Sequence, residues 1–389
     1  MPFGSLVFWL IDGGERRLDL PDLFVGFCDR LRQHGLPIHR VTLGLETLHP
    51  EDSGRLLTWL ESGLDVRETA RAGVLASDAY RLSPTFVVDE TGQPFHWRRH
   101  EPTRGMPLLE DLQASGTTQY VMLPLPFLDT SRTAVMSFAT RSPGGFTPAE
   151  LRTLEQATRL FSPWAERVVL RRIAIDLLAA YLGPVAGLRV YDGQIERGDV
   201  QTIRAAIACC DLRGFTTLSD RMPRRELVEL LNRWFEVVGG AITGQGGEIL
   251  KFMGDGLLAV FPIGSDPAAT CDRALAAVEG ALRGAADLGS TLVTEGHEPL
   301  RFGLALHLGD VEFGNIGTRH RLDFTVIGPA VNLASRLESL TKELGEPVVA
   351  SEAFARTATR SLRRLGRYAV RGIAQRVAIY APALELTPS

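Results

Sequence analysis

Apolar positions change rhythm partway along the chain. Residues 6–11 (LVFWLI) form a short continuous apolar run that predicts a buried strand. Residues 120–125 and 134–139 predict two further strands, separated by the turn-rich stretch 128–131. Thr147, Pro148 and Glu150 then mark a helix start, as N-cap, first helical position and closing residue of a capping box. Beyond it, Leu154, Ala157, Phe161, Trp164, Val168, Ile175, Leu178 and Leu182 recur at spacings of about three and four, with Pro163 expected to kink the helix and Arg171 interrupting the stripe. That stripe fits either a helix packed on its own domain or a parallel dimer helix. Leu182-Gly183-Pro184 ends it, and residues 185–200 read as a connector.

From Thr202 the pattern becomes regular. Residues 203–210 predict a strand. Residues 225–242 predict a helix with Leu227, Leu230, Leu231, Trp234, Val238 and Ile242 on one stripe. Residues 248–252 and 257–261 predict strands joined by Met253-Gly254-Asp255-Gly256, and Asp266-Pro267 starts an Ala-rich helix. Residues 300–307 and 311–314 read as a hairpin around Gly309-Asp310, residues 330–344 as a helix, and residues 368–381 as closing strands. The order β-α-β-β-α-β implies an α+β domain with a ferredoxin-like sheet and helices on one face.

Composition narrows the class. A chain of 389 residues implies two or three domains. A net charge of -4, with 45% hydrophobic and 23% charged residues, is that of a soluble protein and argues against nucleic acid as a partner. No run is long enough to span a bilayer. The four cysteines, Cys28, Cys209, Cys210 and Cys271, show no metal-ligand spacing, which implies reduced thiols in a cytoplasmic protein. The expected domains are residues 1–146, an α/β module; 147–200, a connecting helix and transducer segment; and 201–389, the domain with the regular pattern. The ending of the first module resembles that of a GAF-like sensory domain, which implies a small-molecule ligand of unspecified identity.

The candidate chemistry lies in the last domain. Asp211 ends a strand and Asp255 sits in a hairpin turn, where adjacent strands would bring them together. Each alone is an ordinary turn residue or helix cap. As a pair they suit Mg²⁺, which takes one or two carboxylates and completes its shell with substrate phosphates. Gly214 lets the backbone of residues 212–216 approach a phosphate closely. Asn332 and Arg336, four apart on a helix, share one face.

Three segments carry a resemblance: DLRGFTTLS from Asp211, KFMGDG from Lys251, and DFTVIGPAVNLASRLE from Asp323. Together they resemble the class III nucleotide cyclases, from about residue 202 to 381. The resemblance implies two Mg²⁺ or Mn²⁺ ions held by Asp211, Leu212 and Asp255. It implies phosphate binding by Arg213, Gly214, Phe215 and Thr216, with Arg371 on the distal phosphates and Arg319 or Arg321 as alternatives. It assigns base recognition to Lys251 and Thr325, ribose orientation to Asn332, and transition-state charge to Arg336. Thr325, where many members carry Asp, matches the Thr-type subgroup similar to bicarbonate-responsive soluble adenylyl cyclases. The implied activity is ATP to 3′,5′-cyclic AMP and pyrophosphate in a signalling homodimer, with sites shared between subunits. A guanylate cyclase and a non-catalytic nucleotide-binding signalling protein are the alternatives.

Overall fold

Leu6 and Leu10 lie four residues apart and are both buried, while Phe8 between them is exposed. The first apolar run is therefore helical: α1 spans Gly4–Glu15, not the strand that a short apolar run suggests. The structure, a computed structural model, describes residues 4–15, 19–46, 52–70, 77–128 and 134–383. The chain divides into two compact units, Met1–Leu177 and Leu178–Ser389.

In the first unit α1 is followed by α2 (Leu20–Gln33), β1 (Arg40–Glu46), β2 (Asp52–Leu60), β3 (Gly63–Ala70), α3 (Asp78–Arg81), α4 (Pro84–Thr91), β4 (Phe95–Arg98), α5 (Pro107–Ala114), β5 (Gln119–Pro124), β6 (Ala134–Thr140) and α6 (Pro148–Leu182). The strands form one antiparallel sheet in the order β3-β2-β1-β6-β5-β4. One face packs against α1, α2 and α6 through Phe24, Phe27, Phe138 and Phe161. The other packs against α4 and α5 through Val88, Leu109, Tyr120 and Met122.

The capping box is present: Glu150 N donates to Thr147 Oγ1 at 3.2 Å, and Thr147 N donates to Glu150 Oε2 at 2.7 Å. The helix continues through Pro163 as one element. Its buried stripe runs Leu154, Ala157, Phe161, Ala165, Val169 and Ile173 into the first unit's core. After Phe161 the step is four rather than a three-four alternation, so the stripe leaves Trp164 and Val168 only partly buried. Over this stretch the helix packs on its own domain.

The second unit contains α7 (Pro184–Tyr191), β7 (Val200–Leu212), α8 (Phe215–Arg221), α9 (Arg224–Thr243), β8 (Glu248–Met253), β9 (Gly256–Pro262), α10 (Pro267–Thr294), β10 (Phe302–Gly317), β11 (Leu322–Ile327), α11 (Pro329–Leu344), β12 (Val348–Ser351), α12 (Glu352–Thr357), β13 (Leu362–Tyr368) and β14 (Val377–Pro382). The sheet order is β13-β14-β12-β10-β7-β9-β8, with β11 paired to β10. The β-α-β-β-α-β core is β7-α9-β8-β9-α10-β10, with antiparallel neighbours β10-β7-β9-β8. Alternate residues of β7 face opposite ways. Ala206, Ala208 and Cys210 meet α9 and α10, whereas Ala205, Ile207 and Cys209 share a core with Ala186 of α7 and Ala330 and Ala334 of α11. Helices therefore cover both faces, not one.

The expected hairpin at Gly309-Asp310 does not form. Strand β10 passes through it in unbroken register with β7, Gly309 opposite Ala205 and Asp310 opposite Arg204. Gly309 is small for packing: a Cβ there would lie 2.6 Å from the Ala330 methyl of α11. The reversal comes later, between β10 and β11, where Thr318 N donates to Arg321 O at 2.8 Å.

Candidate active site

The site is built on the sheet face that α7 and α11 cover. Asp211 follows Cys209 by two residues on β7 and so points to that face. Asp255 comes up beside it from the β8–β9 turn, where Gly254 adopts φ 68°. Gly256 makes this approach possible: a Cβ there would lie 2.7 Å from Cys210 O and 2.8 Å from Asp211 Oδ1. Burial first, then the charges of Asp255 and Glu338, push the Asp211 carboxyl up to about 6, against a smaller opposing pull from Arg213. Two carboxylates share one small volume without enough positive charge between them.

Lys251 reaches the same face because of an irregularity in β8. The register shifts between Ile249 and Lys251, so Lys251 lies opposite Leu258 rather than Leu257. Leu258 belongs to the core on the α7 and α11 face, and Leu257 to the opposite one. Simple alternation from Ile249 would have turned Lys251 toward α9; the bulge re-aims it. Its Nζ lies 3.1 Å from Asp323 Oδ2 on β11. Asp323 and Thr325 are two apart on that strand and share a face, alternating with Phe324 and Val326, which enter the core. Thr325 is buried opposite Gly314.

On α11, Asn332 is exposed and Arg336 half-buried. Arg336 lies against the turn of residues 370–373, where Ile373 N donates to Val370 O at 3.0 Å. Gly372 there has φ 72°, and a Cβ on it would come 3.2 Å from Arg336 Nη1. The fold thus places the exposed Arg371 beside Arg336, although 35 residues separate them in the chain.

The loop after Asp211 differs from expectation at one residue. Gly214 takes φ 73°, and Phe215 and Thr216 begin α8. Arg213, expected on phosphate, turns away. Its N donates to Arg301 O at 2.7 Å, and its guanidinium lies 2.9 Å from Glu338 Oε1 on α11 and donates to the Thr341 hydroxyl. An almost buried carboxylate attracts the nearest guanidinium strongly, because it loses water as a partner. Sequence reading missed both Glu338 and Asp323 as site residues. Two signals could have found them. Glu338 lies on the buried stripe Ala334, Leu337, Glu338 and Thr341, where a charge demands a partner. Asp323 stands at the alternate position to Thr325.

Among the described residues, no group of three or more His, Cys, Asp or Glu side chains could hold a metal by itself. No helix of those residues is long and apolar enough to cross a membrane.

Residues 200–381 match the family model described as "Adenylate and Guanylate cyclase catalytic domain". The chain is 37% identical over 163 residues to an adenylate cyclase of Anabaena cylindrica, covering 42% of this chain and 32% of that protein. It is 33% identical over 147 residues to adenylate cyclase 1 of Rhizobium meliloti, covering 37% and 22%. The match therefore spans a third or less of these relatives' lengths. Among solved structures, the adenylyl cyclase CyaB from P. aeruginosa is 28% identical with a TM-score of 0.42, over 47% of this chain and 94% of that one. The guanylyl cyclase Cya2 is 29% identical with a TM-score of 0.43, over 49% and 97%. Residues 200–381 are accordingly similar to adenylate and guanylate cyclase catalytic domains.

Proposed function

We propose that the chain is an adenylate cyclase, converting ATP to 3′,5′-cyclic AMP and pyrophosphate in a homodimer. The observation that carries this reading is the approach of Asp255 to Asp211, where burial first and then the Asp255 charge raise the Asp211 carboxyl to about 6. A divalent cation relieves that repulsion, so the donor set fits Mg²⁺ or Mn²⁺ held by Asp211, the backbone at Leu212, and Asp255. Two such ions, when bound, lower the charge on the attacking 3′-oxygen and the leaving pyrophosphate. Backbone at Gly214, Phe215 and Thr216 lines the triphosphate. Arg336 and the neighbouring Arg371 supply positive charge where it develops on the transferred phosphoryl group and the distal phosphates.

Lys251 and Thr325 favour adenine. Lys251 donates to a ring nitrogen, and Thr325 both accepts and donates. For this, Lys251 exchanges its Asp323 partner for the base. Asn332 orients the ribose. In the homodimer, Asp211 and Asp255 of one subunit face Lys251, Thr325, Asn332 and Arg336 of the other.

The finer features belong to the same proposal. The first unit, an antiparallel sheet closed by the long α6, is read as a GAF-like sensory module that binds a small ligand and regulates turnover. The described cysteines are free and buried, which supports a cytoplasmic setting. Thr325 supports membership of the bicarbonate-responsive subgroup; a flat activity response to bicarbonate titrated at fixed pH would remove that part.

The main test assays purified protein with ATP and, separately, GTP, in Mg²⁺ or Mn²⁺. Cyclic AMP with little cyclic GMP is the expected result. Predominant cyclic GMP would overturn the base assignment. Product persisting in Asp211→Ala would overturn the metal site.

A further inference from the structure

Glu338 belongs to none of the segments' assigned chemistry, yet it is 8% exposed and stands where the carboxylate loop meets α11. It follows Arg336 by two residues on α11 and Asn332 by six. Its partner Arg213 follows Asp211 by two residues at the end of β7. The guanidinium reaches α11 by crossing strand β10 at Gly303, which lies opposite Asp211 in the sheet register. Any Cβ at Gly303 would overlap the Arg213 guanidinium and the Thr341 hydroxyl. The passage is therefore a slot shaped for this side chain. At its end, Arg213 Nη2 meets Glu338 Oε1 at 2.9 Å, the Glu338 carbonyl oxygen at 3.3 Å, and the Thr341 hydroxyl. Glu338 Oε1 has no aligned hydrogen bond, so the ion contact with Arg213 is what offsets its burial.

A surface pair of this kind would stabilise little. This pair is different: side-chain exposures are 24% for Arg213 and 11% for Glu338, so neither charge can turn to water at low cost. Pulling the Asp211 loop away from α11 would strand both.

We propose that Glu338 is a positioning residue for the cyclase reaction, acting through Arg213 as a buried strut that fixes the carboxylate loop against the helix carrying Asn332 and Arg336. This rests on the cyclase reading above. It reassigns Arg213 from phosphate contact to support. The strut orders Asp211 before cation and nucleotide arrive, so its loss loosens the metal site first. Outer residues that orient metal ligands change affinity or activity by about 10–100-fold when removed.

The test compares wild type with Arg213→Ala, Glu338→Gln and Glu338→Asp in the full chain. The Mn²⁺ concentration for half-maximal activity and the KM for ATP at saturating Mn²⁺ are measured, with thermal unfolding checking that each variant is folded. Arg213 and Glu338 carry opposite charges near the site. Acting only as charges, they would shift Mn²⁺ affinity in opposite directions, tighter for Arg213→Ala and weaker for Glu338→Gln. The strut predicts weakening in both, about tenfold or more, with KM for ATP little changed. Glu338→Asp, which keeps the charge but loses reach, should weaken Mn²⁺ as well and serves if the neutral variant does not fold. Opposite shifts, or Glu338→Asp equal to wild type, would overturn the strut. A raised KM for ATP in Arg213→Ala with unchanged Mn²⁺ dependence would return Arg213 to phosphate binding. If wild type turns over neither ATP nor GTP, the cyclase reading fails; Mn²⁺ binding to the same variants, followed by electron paramagnetic resonance, then decides the strut by the same directions.

Discussion

Replacing His307 tests the packing of the catalytic sheet quantitatively. The imidazole lies in β10, buried, with Nδ1 2.8 Å from Ser351 Oγ of β12. Burial alone lowers its pKa to about 4, against about 6.5 in an unfolded chain. The neutral form is therefore the one the fold accepts. Stability from this preference is complete above pH about 6.5 and is lost as pH falls through 6.5 toward 4, because the unfolded chain takes up the proton first. At about 1.4 kcal/mol for each pKa unit, the full effect is about 3 kcal/mol, of which about 2 kcal/mol is lost between pH 7.5 and pH 5. Asp211, raised to about 6, acts oppositely in an overlapping window, so the wild-type curve alone is not diagnostic. The difference between wild type and His307→Gln removes that contribution. Urea unfolding of the full chain at both pH values, read by hydrogen exchange of β10 amides, isolates the catalytic unit. The wild-type advantage should shrink by about 2 kcal/mol on acidification. A difference that stays constant would mean that His307 is hydrated or already protonated in the fold, and the burial argument would be wrong.

Three further outcomes follow from the site geometry. Gly256→Ala should displace the Asp255 turn, since its methyl would meet Cys210 O and Asp211 Oδ1; the expected cost is about 1–3 kcal/mol in denaturant unfolding, with loss of most cyclase activity, and normal turnover would refute the close approach. Asp211→Asn should abolish product yet raise the thermal midpoint above pH 6, because it removes a charge whose burial, and then its repulsion by Asp255 and Glu338, lift the native carboxyl. That gain should vanish below pH about 4, where the unfolded carboxyl is also protonated, and an unchanged midpoint at pH 7.5 would contradict the crowding of the two carboxylates. Trp234→Ala should destabilise the catalytic unit by about 3–5 kcal/mol, as Trp234 is fully buried with its ring 4.8 Å from that of Phe302; calorimetry showing an unmoved transition would sink this core assignment.

Much of the catalytic unit was legible from local signals. Asp266 was readable as an N-cap, and its side chain does accept from Ala269 N at 3.0 Å. The stripe of Leu230, Trp234, Val238 and Ile242 is the buried face of α9. Gly309 misled because glycine has two uses: it permits turns, and it lets two backbones or a backbone and a helix come close. Only the position of Ala330 shows which use applies. The first apolar run misled for a related reason, since six apolar residues satisfy a strand and a helix equally until something packs against them.

The chain by itself determined which chemical groups are present and in what order: two carboxylates, a lysine, a threonine, and an asparagine and arginine one helical turn apart. Those patterns are local, because capping, periodicity and turn chemistry act within a few residues. Tertiary structure decided where the groups point. The β8 bulge turned Lys251 to the face that holds Asp211, the slot at Gly303 drew Arg213 to Glu338, and the turn at Gly372 brought Arg371 beside Arg336. Each outcome depends on residues far apart in sequence competing for the same buried space and charge, and that competition exists only once the sheet and α11 have closed together.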